Sequence, residues 1–90
     1  KHKEIFYFKD KNECDFVIKE REKIIEAIQV CYEFNEENKD REINGLVEAL
    51  EKFKLKEGLI ITLNQENTFT VNKKKIKLIP ARKWILTTSK

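Results

Sequence analysis

Short apolar runs with polar breaks fill the first third of the chain, and the period then changes. Glu4 to Phe8 is aromatic and β-branched and predicts a strand. The polar Lys9-Asp10-Lys11-Asn12 predicts a turn. Cys14-Asp15-Phe16-Val17-Ile18 predicts a second strand with an acid inside an apolar run. Ile24 to Tyr32 is nearly all apolar, broken by Glu26 and Gln29, and predicts a third strand covered on both faces. Lys19 to Lys23 is too polar for a core and predicts a tight hairpin with a three-residue loop, Glu20 to Glu22. That loop sets Lys19 opposite Lys23, and one residue of bulge then sets Asp15 opposite Gln29. Side chains alternate along a strand, so Glu13 shares a face with Asp15, and Cys31 with Gln29. The four form one expected patch. A buried carboxylate costs several kcal/mol unless it is paired, hydrogen-bonded or metal-bound, so Asp15 needs a partner.

From Asp40 onward Ile43, Leu46, Val47, Leu50 and Phe53 fall on one helical face. Asn35, Asn38 and Asp40 are candidate caps at its start. Lys54 and Lys56 stand near its end, where the helix dipole favours cations, and Gly58 is the expected stop. Leu59 to Leu63 predicts a strand. A strand–helix–strand crossover places it parallel to Ile24–Tyr32. Asn64 to Asn67 predicts a turn. Thr68 to Val71 and Lys75 to Ile79 predict a second hairpin around Asn72-Lys73-Lys74, at a sheet edge guarded by lysines. Pro80 opens a short last helix packed through Trp84, Ile85 and Leu86. The expected fold is α/β with a mixed sheet: a three-stranded meander, a crossover helix, a further strand, an extra hairpin and a short C-terminal helix.

Composition narrows the function classes. The chain has 90 residues, 40% hydrophobic and 39% charged. This is one domain, too apolar for disorder and too charged for a membrane span. The net charge of +3 comes from interleaved lysines and acids, which reads first as a solvated surface. There is no Met, and the chain opens on Lys1, so a fragment of a longer protein is expected. No signal peptide is visible, and a cytoplasmic location is expected. Cys14 and Cys31 are read as buried thiols, with a disulfide as the alternative. Together with His2 they are too few for a four-ligand zinc site. There is no Gly-rich phosphate loop and no credible Ser–His or Cys–His nucleophile.

The order of these elements resembles the restriction-endonuclease-like, or PD-(D/E)XK, fold. Asp15 matches the aspartate of its motif, and Gln29-Val30-Cys31 stands where the family has Glu/Gln-X-Lys. The chain is similar over nearly its whole length to the C-terminal domain of archaeal and bacterial AAA-type ATPases. The matching segments are Glu13 with Asp15 to Ile18, Ile28 to Tyr32, Arg41-Glu42-Ile43 with Leu46, Gly58 to Thr62, and Ile79 to Leu86.

The resemblance implies an accessory domain, residues 1–90, whose ATP chemistry lies in an ATPase domain outside this chain. In active members the aspartate and the Glu/Gln bind Mg²⁺, and the lysine helps activate the attacking water. The resemblance therefore implies Asp15 and Gln29 as catalytic and metal-binding positions. Cys31 replaces the lysine and brings no charge, so a degenerate, non-catalytic core is expected. A metal-dependent nuclease acting on DNA phosphodiesters is the alternative. Partners implied are the ATPase domain itself, a second copy of the chain, and DNA or RNA held through Lys9, Lys11, Lys73, Lys74 and Lys75. A membrane partner is not expected.

Overall fold

Three N-terminal strands form the predicted meander in the computed structural model, which describes residues 3–9 and 13–88; the side chains of residues 3, 7–9, 13–15 and 87–88 lie outside the description. The strands are β1 (Lys3–Lys9), β2 (Glu13–Glu20) and β3 (Lys23–Val30), paired antiparallel in that order. The β2–β3 turn is two residues, Arg21 and Glu22, not the three expected. Glu20 pairs with Lys23 and Lys19 with Ile24. Arg21 supplies the left-handed residue of this tight turn, at φ 62°.

Helix α1 (Lys39–Lys52) follows, with Asn38 at its N-cap. Its buried stripe is the predicted one, Ile43, Leu46, Val47 and Leu50, widened by Ala49. Phe53 is only partly buried. The helix stops earlier than Gly58. Leu55 N–H donates to Leu50 O at 2.8 Å and Lys54 N–H to Glu51 O at 3.4 Å. These two bonds make a Schellman motif, with Lys54 at φ 60° in the position that glycine usually takes. Leu55 packs back on the core, as that motif favours.

Gly58 instead lies inside β4 (Glu57–Thr62). A Cβ there would meet the Leu46 side chain at 2.9 Å, so its missing side chain lets α1 sit down on the sheet. β4 runs parallel to β3, and the crossover prediction holds. The second hairpin is β5 (Asn67–Val71) and β6 (Lys74–Pro80), joined by Asn72 and Lys73 at φ 51° and 66°. Both central residues are left-handed, as in a type I′ turn, whose twist matches the flanking strands. Pro80 is the last residue of β6, and α2 (Ala81–Thr88) starts after it.

The result is one six-stranded mixed sheet in the order β1-β2-β3-β4-β6-β5, with β3, β4 and β6 parallel. One face is sealed by α1: Val17, Ala27, Ile60, Ile76 and Leu78 are all at most 3% exposed. On the other face α2 contacts β4 and β6. Over β1 to β3 that face stays open: Ile5 is 63% exposed, Phe16 41% and Val30 50%. The expected double covering of β3 therefore holds only toward its end, where Ala27, Ile28 and Gln29 are all buried. Ile85 and Leu86, expected as packing groups, are 57% and 67% exposed, while Trp84 turns toward the sheet and lines a groove with Ile5, Phe16 and Val30. Among the described residues no helix is long and apolar enough to cross a membrane.

Candidate functional site

The expected site lies where β2, β3 and α1 meet. Pairing between β2 and β3 runs from Glu20↔Lys23 to Phe16↔Ile28, with an extra β3 residue between Ile18 and Lys19. Asp15 and Gln29 are the next residues along the two strands. On its other side β2 carries an extra residue too: Cys14 to Val17 takes three steps where Phe6 to Phe8 takes two. Asp15 falls in that irregular stretch of backbone. The side chains of Glu13 and Asp15, the two acids of the expected patch, lie outside the described residues.

Gln29 and Cys31 do share a face, as strand alternation predicts, and that face is the one under α1. Gln29 is 2% exposed. Its Nε2 donates to the main-chain carbonyl of Glu42, in the first turns of α1, at 3.0 Å. A buried amide must find partners inside the protein, and this one ties strand to helix. Cys31 is 6% exposed and carries a free thiol. Its Sγ donates to Glu33 O at 3.4 Å, and its own N–H continues the parallel ladder to Ile61 O at 2.8 Å. Burial pushes the thiol pKa up, and the nearby Glu42 carboxylate adds to this, so Cys31 is protonated at neutral pH. A neutral thiol supplies no cation at the place where the resemblance implies a lysine.

The loops beyond β3 and β4 are bound to each other. Gln65 accepts from Phe34 N–H at 2.7 Å through Oε1 and donates to Phe34 O at 2.8 Å through Nε2. Thr62 Oγ1 accepts from Gln65 N–H at 2.9 Å, and Leu63 N–H reaches Tyr32 O at 3.1 Å. The sequence marks Gln65 only as a turn residue; nothing in its neighbours signals a partner 31 positions away. Among the described residues no three His, Cys, Asp or Glu side chains gather as a metal site would need, a statement that leaves Glu13 and Asp15 aside. Every buried side-chain nitrogen or oxygen described has a hydrogen-bond partner.

Of the lysines expected to hold nucleic acid, the backbone places Lys9 apart from Lys74 and Lys75. β1 runs in the same sense as β3 and β6, because each of its two antiparallel steps reverses direction. Lys9 ends β1 at one edge of the sheet, whereas Lys74 and Lys75 begin β6 beside the opposite edge. The two groups therefore sit at opposite corners. Lys11 and the Lys9 side chain lie outside the described residues. Lys73, Lys74 and Lys75 gain other company, the residues after α1: Lys75 N–H donates to Lys56 O at 2.9 Å and Lys74 Nζ to Leu55 O at 2.7 Å.

No family model matches the chain. No solved structure matches it. Among curated proteins, "Uncharacterized protein MJ1544" of Methanocaldococcus jannaschii is 46% identical over 90 aligned residues, which cover 92% of this chain and 20% of that protein. The chain thus spans about a fifth of the length of the curated relative it matches.

Proposed function

We propose that this chain is an accessory interaction domain of a longer protein, with a restriction-endonuclease-like sheet whose motif positions have become structural. The observation that carries this reading is the bond from Gln29 Nε2 to the Glu42 carbonyl, inside the seam between β3 and α1. At 2% exposure, with its Nε2 tied to its own helix, this side chain is shut off from the solvent from which a metal or a phosphate would arrive. Cys31, protonated and hydrogen-bonded to Glu33 O, fits the same reading. The open apolar stretch of the second face supports an interaction role, since an exposed apolar patch on a small domain marks a docking surface. The match to a fifth of a much longer relative supports membership in a larger chain. The motif order from Asp15 to Leu86 supports an AAA-type ATPase as that chain.

A plasmid-nicking assay in Mg²⁺ and in Mn²⁺ tests the non-catalytic role. Wild type and Asp15→Ala are expected to be equally inactive. Nicking by wild type that Asp15→Ala abolishes establishes the alternative, a metal-dependent nuclease.

A further inference from the structure

The fold gathers positive charge that the sequence carries in two separate stretches. The end of α1 and the start of β4, residues 51–57, hold Lys52, Lys54 and Lys56 with Glu51 and Glu57. The β5–β6 turn and the start of β6, residues 72–77, hold Lys73, Lys74, Lys75 and Lys77 with no acid. The hydrogen bonds from Lys75 N–H and Lys74 Nζ to the residues after α1 join these two segments. These two segments bring together seven lysines and two glutamates, and the β2–β3 turn at the same end, Glu20 to Lys23, adds no net charge; the excess is five on a chain whose total is +3, so the rest is net acidic by two. Glu57 is already matched to Lys77 at 3.5 Å. Lys52, Lys54, Lys56, Lys73 and Lys75 are all exposed.

The backbone adds an independent sign. Among the described residues, four non-glycine residues have positive φ: Arg21, Lys54, Asn72 and Lys73. All four lie at this end of the sheet, and three are cations. Neither glycine has positive φ. Glycine fits a left-handed position without a steric penalty, and lysine does not. Lys54 fills the C′ position of a Schellman motif, and Lys73 the second position of a type I′ turn, two sites where glycine is favoured. Backbone strain at a charged site points to a use for the charge.

We propose that this lysine end is a binding site for the phosphodiester backbone of nucleic acid. A membrane-docking patch or a protein interface needs apolar anchors among its charges. The large hydrophobic side chains that are exposed among the described residues, from Ile5 to Leu86, all lie outside residues 51–57 and 72–77. Exposed cations without large exposed apolar neighbours suit a hydrated polyanion whose charges are evenly spaced. The inference goes beyond the interaction role of the open apolar face by assigning a second surface and its partner. It does not depend on whether Asp15 is catalytic, since these lysines lie where β4 and β6 begin and Gln29 lies near the end of β3.

Fluorescence anisotropy of the 90-residue chain with a labelled 20-base-pair duplex, in EDTA so that no metal-dependent cleavage can intrude, tests it. Three variants are compared with wild type. Lys54→Gln/Lys73→Gln/Lys75→Gln removes three charges from this end. Lys39→Gln/Arg41→Gln/Arg82→Gln removes three charges elsewhere. Lys54→Gly/Lys73→Gly removes two and fits the backbone better, so it guards against misfolding. Wild type is expected to bind in low salt with an affinity that falls steeply as salt rises. The first triple is expected to lose at least about tenfold in affinity and about 3 in the salt slope. The second triple is expected to stay within about threefold of wild type. Equal losses in both triples, no binding by wild type, or binding to phosphatidylserine vesicles in place of the duplex overturns the proposal. Asp15-dependent nicking would overturn the non-catalytic role and leave these binding results unchanged.

Discussion

The two ends of the parallel strands β3, β4 and β6 are built by opposite rules. At the end where they finish, polar groups are turned inward and matched: Gln29 to Glu42, Gln65 to Phe34 twice, Thr62 to Gln65. At the end where they begin, charges are turned outward and the backbone is bent to left-handed angles that its own residues do not favour. α/β sheets usually place their ligands beyond the finishing ends. Here that end is bonded to itself, and the binding site proposed above lies at the beginning end.

Both ends hang from α1, so the largest effect should come from loosening it. Leu50→Ala, at a fully buried position, is expected to lower unfolding free energy by about 2–5 kcal/mol in a denaturant titration, and so to weaken both ends together. Gly58→Ala should cost about 1–3 kcal/mol, because its Cβ would meet Leu46 at 2.9 Å and Leu46 has no room to retreat. At the finishing end Gln29→Leu should lower stability by about 1 kcal/mol, the worth of a tertiary hydrogen bond. A stabilised variant would instead mark Gln29 as a functional group held against the fold's interest. At the beginning end Lys54→Gly should raise stability by about 0.5–1 kcal/mol through relief of the left-handed strain.

The smallest effect is one of pH. The thiol pKa of Cys31 is raised in the folded chain, so the unfolded chain ionises first as pH rises. The stability this thiol contributes is whole below the ordinary cysteine value. It declines as pH climbs from there through the raised folded value. A pH series of chemical melts should show this decline in wild type, and Cys31→Ala should lack it.

Much of the fold was legible in the residues. The helical stripe from Ile43 to Leu50 and the apolar runs of β1 to β4 gave the elements, because periodicity reports directly on which side chains must leave water. The parallel pairing of β3 with β4 followed from the helix between them. The stops were read less well. Gly58 looked like a helix terminator, but a lysine takes the left-handed cap and the glycine serves helix–sheet contact. Ile85 and Leu86 looked like packing groups, although the groove is lined by Trp84 and not by them. At the candidate site, the shared face of Gln29 and Cys31 was visible in their spacing. That Gln29 bonds a helix carbonyl 13 residues on was not, since no local pattern encodes a tertiary acceptor. The lysine end was visible only in part: Lys73, Lys74 and Lys75 stood out, and Lys52, Lys54 and Lys56 did not. Lys52, Lys54 and Lys56 alternate with apolar residues between two glutamates in sequence, and only the packing of the end of α1 beside the β5–β6 hairpin puts them with Lys73 to Lys77.

The contrast between the ends rests most directly on Lys54→Gly/Lys73→Gly, followed by thermal melting and by duplex binding on the same sample. The melting temperature is expected to rise by several degrees, at about 4–8 °C per kcal/mol for a domain of this size, while duplex affinity falls. A lower melting temperature, or an affinity equal to wild type, would show that these lysines are ordinary surface residues.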